Sequence, residues 1–277
     1  MSLNAMENSR YKGKPINLYL FTFGDGPNDY YGYTTADTQI IYGGHVFETM
    51  PITRDSVTAS GKLDKAEMTV KTDVVTGAAR LFANWAPSSV VQLTIFQGHA
   101  GDLNFQVCWA GRITSVSRAN GEVSFGAEPV TTSLSRLGLR RNYQYGCPHV
   151  LYGHGCFASE AAGTVTATVS AVATPTVTLN AGWNGAKDRT RFINGKFEWV
   201  DADGRTNIRA VLALVSDNKL RLNGKVNNLL VGQTVKVKLG CRHDMADCEE
   251  THNNILNYGG QPWIPTSNPT GIKNNFY

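Results

Sequence analysis

The sequence predicts a mainly β protein of many short strands, with a small β-barrel inserted towards its C-terminal end and a cysteine-bearing segment that includes a short helix. Three observations carry this expectation. Glycine is frequent, at 28 of 277 residues, while charged residues make up 17%, against about 25% in an average globular chain. The 42% apolar content and formal net charge of +4 allow a buried core and argue against disorder. Runs rich in Thr and Val, of strand length, recur between clusters of Gly, Asn, Asp and Pro, which is the pattern of strands and tight turns.

Element by element, INLYLFTF (16–23) reads as a strand ended by the turn cluster GDGPND. QIIYGGHVFET (39–49) reads as two strands joined at Gly43-Gly44. Residues 65–75 alternate, with Met68, Val70 and Thr72 opposite Glu67, Thr69 and Lys71, so one face is wet. A short helix is expected from Gly77 to Trp85, stopped before Pro87. Strands follow at 90–97, 104–111, 112–117 and 122–127, the last two joined across Arg118-Ala119-Asn120-Gly121. From Gly163 to Gly240 the text holds two Thr/Val strands, three more with clear turn signals, and a final one in QTVKVKLG. That is a barrel or sandwich of five or six strands.

These segments divide the chain into residues 1–135, a β-rich unit; residues 161–240, the inserted barrel; and residues 136–160 with 241–277, the cysteine-bearing part. Charge follows the division. Residues 161–240 hold 11 basic and 5 acidic side chains, a net of +6, whereas residues 1–135 hold 10 and 12. A basic module can meet nucleic acid or an acidic protein surface, but the commoner meaning is a solvated barrel surface, and no aromatic RNA-binding motif accompanies it.

The opening MSLNAMENSRYKGKP has no apolar stretch of signal-peptide length, and no run approaches 18 apolar residues. No membrane anchor is expected, and folding in a cytosol disfavours stable disulfides. The tail from Pro262 to Tyr277 reads as an extended arm, free or laid along a partner.

Five cysteines leave one over after any pairing. Cys147 and Cys156 bound CPHVLYGHGC, and Cys241 and Cys248 bound CRHDMADC. The pairs stand where the chain enters and leaves the barrel. Since the ends of a small domain are commonly close in space, all four thiols can converge. Four readings fit the spacing: two disulfides, an all-thiolate zinc site without the usual tight C-x2–4-C hairpins, the four thiolates of an iron–sulfur cluster, or four unrelated buried thiols. On a continuous helix Cys241 and Cys248 would stand about 10.5 Å apart, so a loop is expected between them, with any helix starting near Asp247. Cys108, in the apolar FQVCWAG, reads as a packed core thiol. His149, His154 and His243 lie inside the cysteine loops and read as exposed loop residues that could serve as outer donors.

No catalytic motif stands out. There is no G-x-S-x-G, H-E-x-x-H or Walker loop, no carboxylate dyad, and no cysteine placed to have a lowered pKa. The sequence predicts no enzyme.

The two blocks RRNYQYGCPHVLYGHGC and CRHDMADCEETHNNILNYGGQPWIP resemble the C-terminal signature of the siphophage tail-tip (baseplate hub) proteins, a family that includes the lambda tail-tip protein and the hub proteins of gene transfer agents. The likeness is concentrated in residues 136–157 and 241–265, with Asn253, Asn257, Gly259-Gly260 and Pro262 in the second block. It implies two tube-like hub β domains in the N-terminal part and a [4Fe–4S] cluster, with zinc as the alternative, held by Cys147, Cys156, Cys241 and Cys248. It further implies a homotrimeric ring at the tail end of a virion made in the host cytoplasm. Such a ring would contact the distal tail protein, the central fibre or receptor-binding hub protein and the C-terminus of the tape measure, and DNA would pass through its lumen without sequence-specific binding. The long basic barrel looks like an insertion, whose role the resemblance does not cover; the alternative reading of the chain is a bacterial cytosolic four-cysteine metalloprotein or Fe–S enzyme.

Overall fold

The computed structural model describes residues 8–9, 13–56, 67–83, 86–102, 104–135, 138, 142–226 and 228–265. Arg136, Arg140, Arg141, the start of the strand expected at Lys65, the end of the helix expected to reach Trp85, and the arm beyond Pro265 lie outside the described residues. The chain forms two compact units, residues 1–138 and 139–277.

The first unit contains β1 (Pro15–Thr22), β2 (Tyr30–Thr34), β3 (Ile40–Tyr42), β4 (His45–Thr49), β5 (Ile52–Arg54) and β6 (Met68–Asp73). After helix α1 (Gly77–Leu81) come β7 (Gln92–His99), β8 (Gln106–Ala119) and β9 (Glu122–Pro129). They make one nine-stranded sheet in the order β3-β4-β2-β1-β7-β8-β9-β6-β5. Two tube-like domains were expected in this segment, and its described strands form this one sheet. Two cores form on it, and β1 feeds both. Tyr19 and Phe21 join Leu93, Ile95, Val123 and Phe125, while Ile16, Leu18 and Leu20 join Phe47 and Phe105. Successive strand residues point to opposite faces, so a strand buried on both faces must be apolar throughout, which is why INLYLFTF lacks polar alternation.

The turns are where the sequence placed them. Asn120 and Gly121 have φ of 52° and 83°, and Gly43 and Gly44 have φ of 59° and 82°. Both are two-residue left-handed connections suited to the twist of a hairpin. The strands expected at 104–111 and 112–117 are one 14-residue strand, β8, whose pairing shifts at Ile113/Ser115. A bulge bends the strand without ending it. Helix α1 begins at Gly77 as expected, capped by Thr76. A Cβ on Gly77 would lie 2.3 Å from the Tyr31 ring, so the helix can approach β2 only with glycine there.

The second unit holds β10 (Thr164–Ala173), β11 (Thr176–Leu179), β12 (Lys196–Val200), β13 (Thr206–Ser216), β14 (Lys219–Leu222) and β15 (Thr234–Lys238), with α2 (Glu160–Gly163) before them and α3 (Met245–Glu250) after. The six strands close a barrel in the order β10-β11-β14-β13-β12-β15. The inward residues alternate along each strand, as with Phe197 and Trp199 on β12, Leu220 and Leu222 on β14, and Val235 and Val237 on β15. Closure removes the free edges of the sheet. The cysteine-bearing segments belong to the same compact unit as the barrel. Among the described residues no helix is long and apolar enough to cross a membrane.

Candidate metal centre

The barrel closes by pairing its first strand with its last, Thr164 opposite Lys238 and Thr168 opposite Thr234. Entry and exit are therefore neighbours at one end. Leu239 N–H donates to Gly163 O at 2.9 Å and the Tyr152 hydroxyl to Leu239 O at 3.1 Å, which ties the incoming chain to the outgoing one. Gly240 N–H donates to Arg191 O at 2.8 Å, and a Cβ on Gly240 would lie 1.9 Å from Ile193 O. Only glycine can pass this point, and Cys241 follows it.

Cys248 lies buried on α3. The loop expected between Cys241 and Cys248 is present, but the helix starts at Met245, two residues before Asp247. The reason is Asp244, whose carboxylate accepts the Asp247 N–H at 2.7 Å and so caps the helix.

Hydrogen bonds link the two cysteine loops. Cys147 N–H donates to His243 O at 2.8 Å. The buried Asn254 amide donates to Cys156 O at 2.5 Å and stands 3.6 Å from Cys156 Sγ, while Asn254 N–H donates to Cys248 O at 2.9 Å. Backbone N–H groups also point at sulfur, from His243 to Cys241 at 3.3 Å and from Gly259 to Cys147 at 3.5 Å. All five cysteines are free thiols.

Electrostatics show that the thiols share one neighbourhood. Burial pushes the Cys241 thiol up to about 11, and the negative charge of Asp247, Cys248 and Cys147 adds to the shift, against the His243 N–H. Burial also raises Cys248, followed by the influence of Cys147 and Cys156. Thiolates crowded in this way repel each other, and a bound cation reverses that penalty. The same upward shifts are the opposite of what a thiolate nucleophile needs.

A tighter donor set exists at Cys241, Asp247 and His252, whose ligand atoms lie within 4.8 Å of one another. Its groups are already engaged. The Asp247 carboxylate is bonded by Arg191, by Thr251 Oγ1 at 2.7 Å and by Arg242 N–H at 2.8 Å, and His252 Nε2 meets Gly240 O at 2.9 Å. Burial works against the Asp247 charge, but these donors hold its carboxyl below the ordinary value. Among the described residues no three of the four cysteines form such a tight set.

Cys108 lies on β8 against the core of the other unit, and burial raises its thiol. His154 and His243 are exposed, as expected, but His149 is half-buried. Its ring fills the space that a Cβ on Gly155 or Gly259 would enter, at 2.6 and 2.3 Å. The barrel's positive charge is partly compensated: Lys238 binds Glu198 and Glu160, Arg189 binds Asp217, and Arg205 binds Asp203. Asn254, Tyr152 and the Arg191–Asp247 pair are the residues that sequence reasoning missed. Only the spacing of Asp244 and Asp247, a capping pattern, could have drawn attention to one of them.

Comparison with known proteins agrees with the phage-type resemblance. The family model described as "Phage conserved hypothetical protein BR0599" matches residues 190–268. An uncharacterized protein of Xylella fastidiosa (strain 9a5c) is 25% identical over 189 residues, covering 61% of this chain, and the chain spans 38% of that relative's length. Among solved structures, a chain of the virion of a native gene transfer agent particle superposes with a TM-score of 0.76 at 22% identity, over 99% of this chain and 97% of that one. The fold is therefore shared from end to end, both units and the inserted barrel included.

Proposed function

We propose that this protein is a structural component of a phage-type virion, the baseplate hub at the tip of a long non-contractile tail. In this reading it forms a homotrimeric ring that joins the distal tail protein to the central fibre and passes DNA through its lumen, and it is not an enzyme. The observation that carries the proposal is the match, over nearly the whole of both chains, to a chain of a gene transfer agent virion. The match of residues 190–268 to a phage family model supports it independently.

Within that ring, Cys147, Cys156, Cys241 and Cys248 would hold a [4Fe–4S] cluster. The donor set is all thiolate, burial and the neighbouring cysteines raise the Cys241 and Cys248 thiols, and N–H groups already face Cys147, Cys156 and Cys241. Tetrahedral zinc, with bonds of about 2.3 Å, would hold the sulfurs about 3.8 Å apart. We read the four thiolates instead as the ligand set of a multinuclear [4Fe–4S] centre. Such a centre would join the two ends of the barrel's chain and stiffen the C-terminal unit. Anaerobic purification with iron and sulfide analysis, combined with sedimentation mass, tests both parts. A trimer with about four irons per chain supports them. A monomer would overturn the hub, and zinc or no metal would overturn the cluster.

A further inference from the structure

We propose that Asn254 is a positioning residue that locks the two cysteine pairs together and supplies the side-chain N–H···S bond of the centre; this rests on the cluster reading above. Asn254 is 7% exposed and touches one cysteine of each pair. Its side-chain amide reaches Cys156 O and Cys156 Sγ, at 2.5 and 3.6 Å. Its main-chain N–H donates to Cys248 O at 2.9 Å, a contact that persists when Cys248 is a thiolate, whereas the bond from the Cys248 thiol to Asn254 O, at 3.2 Å, is given up on deprotonation.

The local chain explains how one residue does this. After α3 the backbone reverses through Asn253, whose φ of 47° is left-handed. Asparagine tolerates that conformation, which is common where helices end. The reversal brings Asn254 back over Cys248 and aims its side chain at Cys156. The orientation of the amide is fixed in turn by Asn257, whose Nδ2 donates to Asn254 Oδ1 at 2.7 Å. With Oδ1 accepting from Asn257, the donor end of the Asn254 amide is the one turned to Cys156.

The chemistry asks for asparagine. Aspartate has the same shape but no N–H, and it would add a negative charge beside four thiolates. Serine is too short to span from the Asn254 backbone to Cys156. Hydrogen bonds to cluster sulfurs stabilise the more negative, reduced state and raise the reduction potential. Partners of this kind are commonly worth 10–100-fold in metal affinity.

The test uses the full chain, purified anaerobically as wild type, Asn254→Asp, Asn254→Ser and Asn257→Asp. Iron per chain, the midpoint potential and the rate of iron release to a chelator are measured for each. We expect iron-replete wild type and a lower midpoint in both Asn254 variants. A tenfold fall in the reduced-to-oxidised ratio at fixed potential would read as 59 mV for one electron. We also expect iron release faster by about tenfold. Asn257→Asp should move both readouts in the same direction by less, and it carries the test if the Asn254 variants do not fold. Iron-replete variants with wild-type midpoint and release rate overturn the role of Asn254 alone. A wild type that binds no iron overturns the cluster reading, and the proposal with it.

Discussion

His243 and Cys147 are bound to each other in both directions across the cysteine site. Cys147 N–H donates to His243 O at 2.8 Å, and His243 Nδ1 lies 2.9 Å from Cys147 O. Because a carbonyl oxygen only accepts, Nδ1 carries the proton in this contact. The two cysteine loops are therefore held in register by one backbone and one imidazole hydrogen bond.

That arrangement predicts a clear division among the cysteines. Replacing Cys156, Cys241 or Cys248 with Ser should abolish stable iron binding, because a cluster lacking one thiolate is exposed to exchange. Cys108→Ser, in the other unit, should leave iron content unchanged. Iron analysis and visible absorbance of the four variants check this, and full iron retention in Cys241→Ser would remove it from the ligand set.

Removal of the metal should act on one unit only. The thiol-bearing loops belong to the C-terminal unit, so chelation should lower the unfolding temperature of that unit and expose residues 142–163 and 241–265 to protease. The N-terminal unit, with its own two cores, should keep its transition. Calorimetry with and without chelator shows two transitions if this is right; a common downward shift of both would contradict it.

The ion cluster on the barrel predicts a pH window. Burial disfavours the Lys238 ammonium, but hydrogen bonds and charge from Glu198 and Glu160 outweigh it and raise its pKa. The hydrogen bond from Lys238 lowers Glu160. A raised lysine stabilises the fold below its unfolded value of about 10.4, and that contribution fades as pH rises through the folded value. A lowered glutamate stabilises above about 4.3 and is lost as pH falls through the folded value. Barrel stability should therefore be level between roughly pH 5 and 10 on account of these groups. Glu198→Gln should cost about 1–2 kcal/mol at neutral pH and start the alkaline loss earlier. Urea titrations read by Trp183 and Trp199 fluorescence, from pH 4 to 11, measure it, and an unchanged alkaline limb would refute the coupling.

The barrel core should be unforgiving. Trp199 is 1% exposed, its ring 5.8 Å from that of Phe197, with the Arg209 guanidinium over it at 5.8 Å. Trp199→Ala should cost about 3–5 kcal/mol, the price of a large core cavity. Gly240→Ala should disturb a different property, since its methyl would meet Ile193 O at 1.9 Å. The displaced chain leads directly into Cys241, so weaker iron binding is expected with the barrel still folded. Circular dichroism and iron content of the two variants separate these outcomes.

Much of this architecture was legible in the sequence because its signals are local. Paired Gly-Gly and Asn-Gly turns mark hairpins, and the Thr/Val runs of the barrel alternate cleanly. The nearness of the two cysteine loops, seen in the bonds from Cys147 N–H to His243 O and from Asn254 to Cys156 O, followed from their position at the ends of one module. Strand β2 was not legible, since YYGYT has no polar alternation and gains its order from β1 and β4 on either side. Strand β5, three residues paired to β6, is too short to carry a period. Asn254 could not be read either: in THNNILN it looks like any loop asparagine, and only the reversal at Asn253 turns it towards Cys156.

The pairing of β10 with β15 also makes the barrel separable. Adjacent strands lie about 4.8 Å apart, so cutting the module out between Gly163 and Leu239 leaves two ends that a tight turn can bridge, with the Cys156 and Cys241 flanks still side by side. The barrel is thus a cassette: deleting it at the level of the gene needs only a short splice, and the two cysteine flanks keep their spacing.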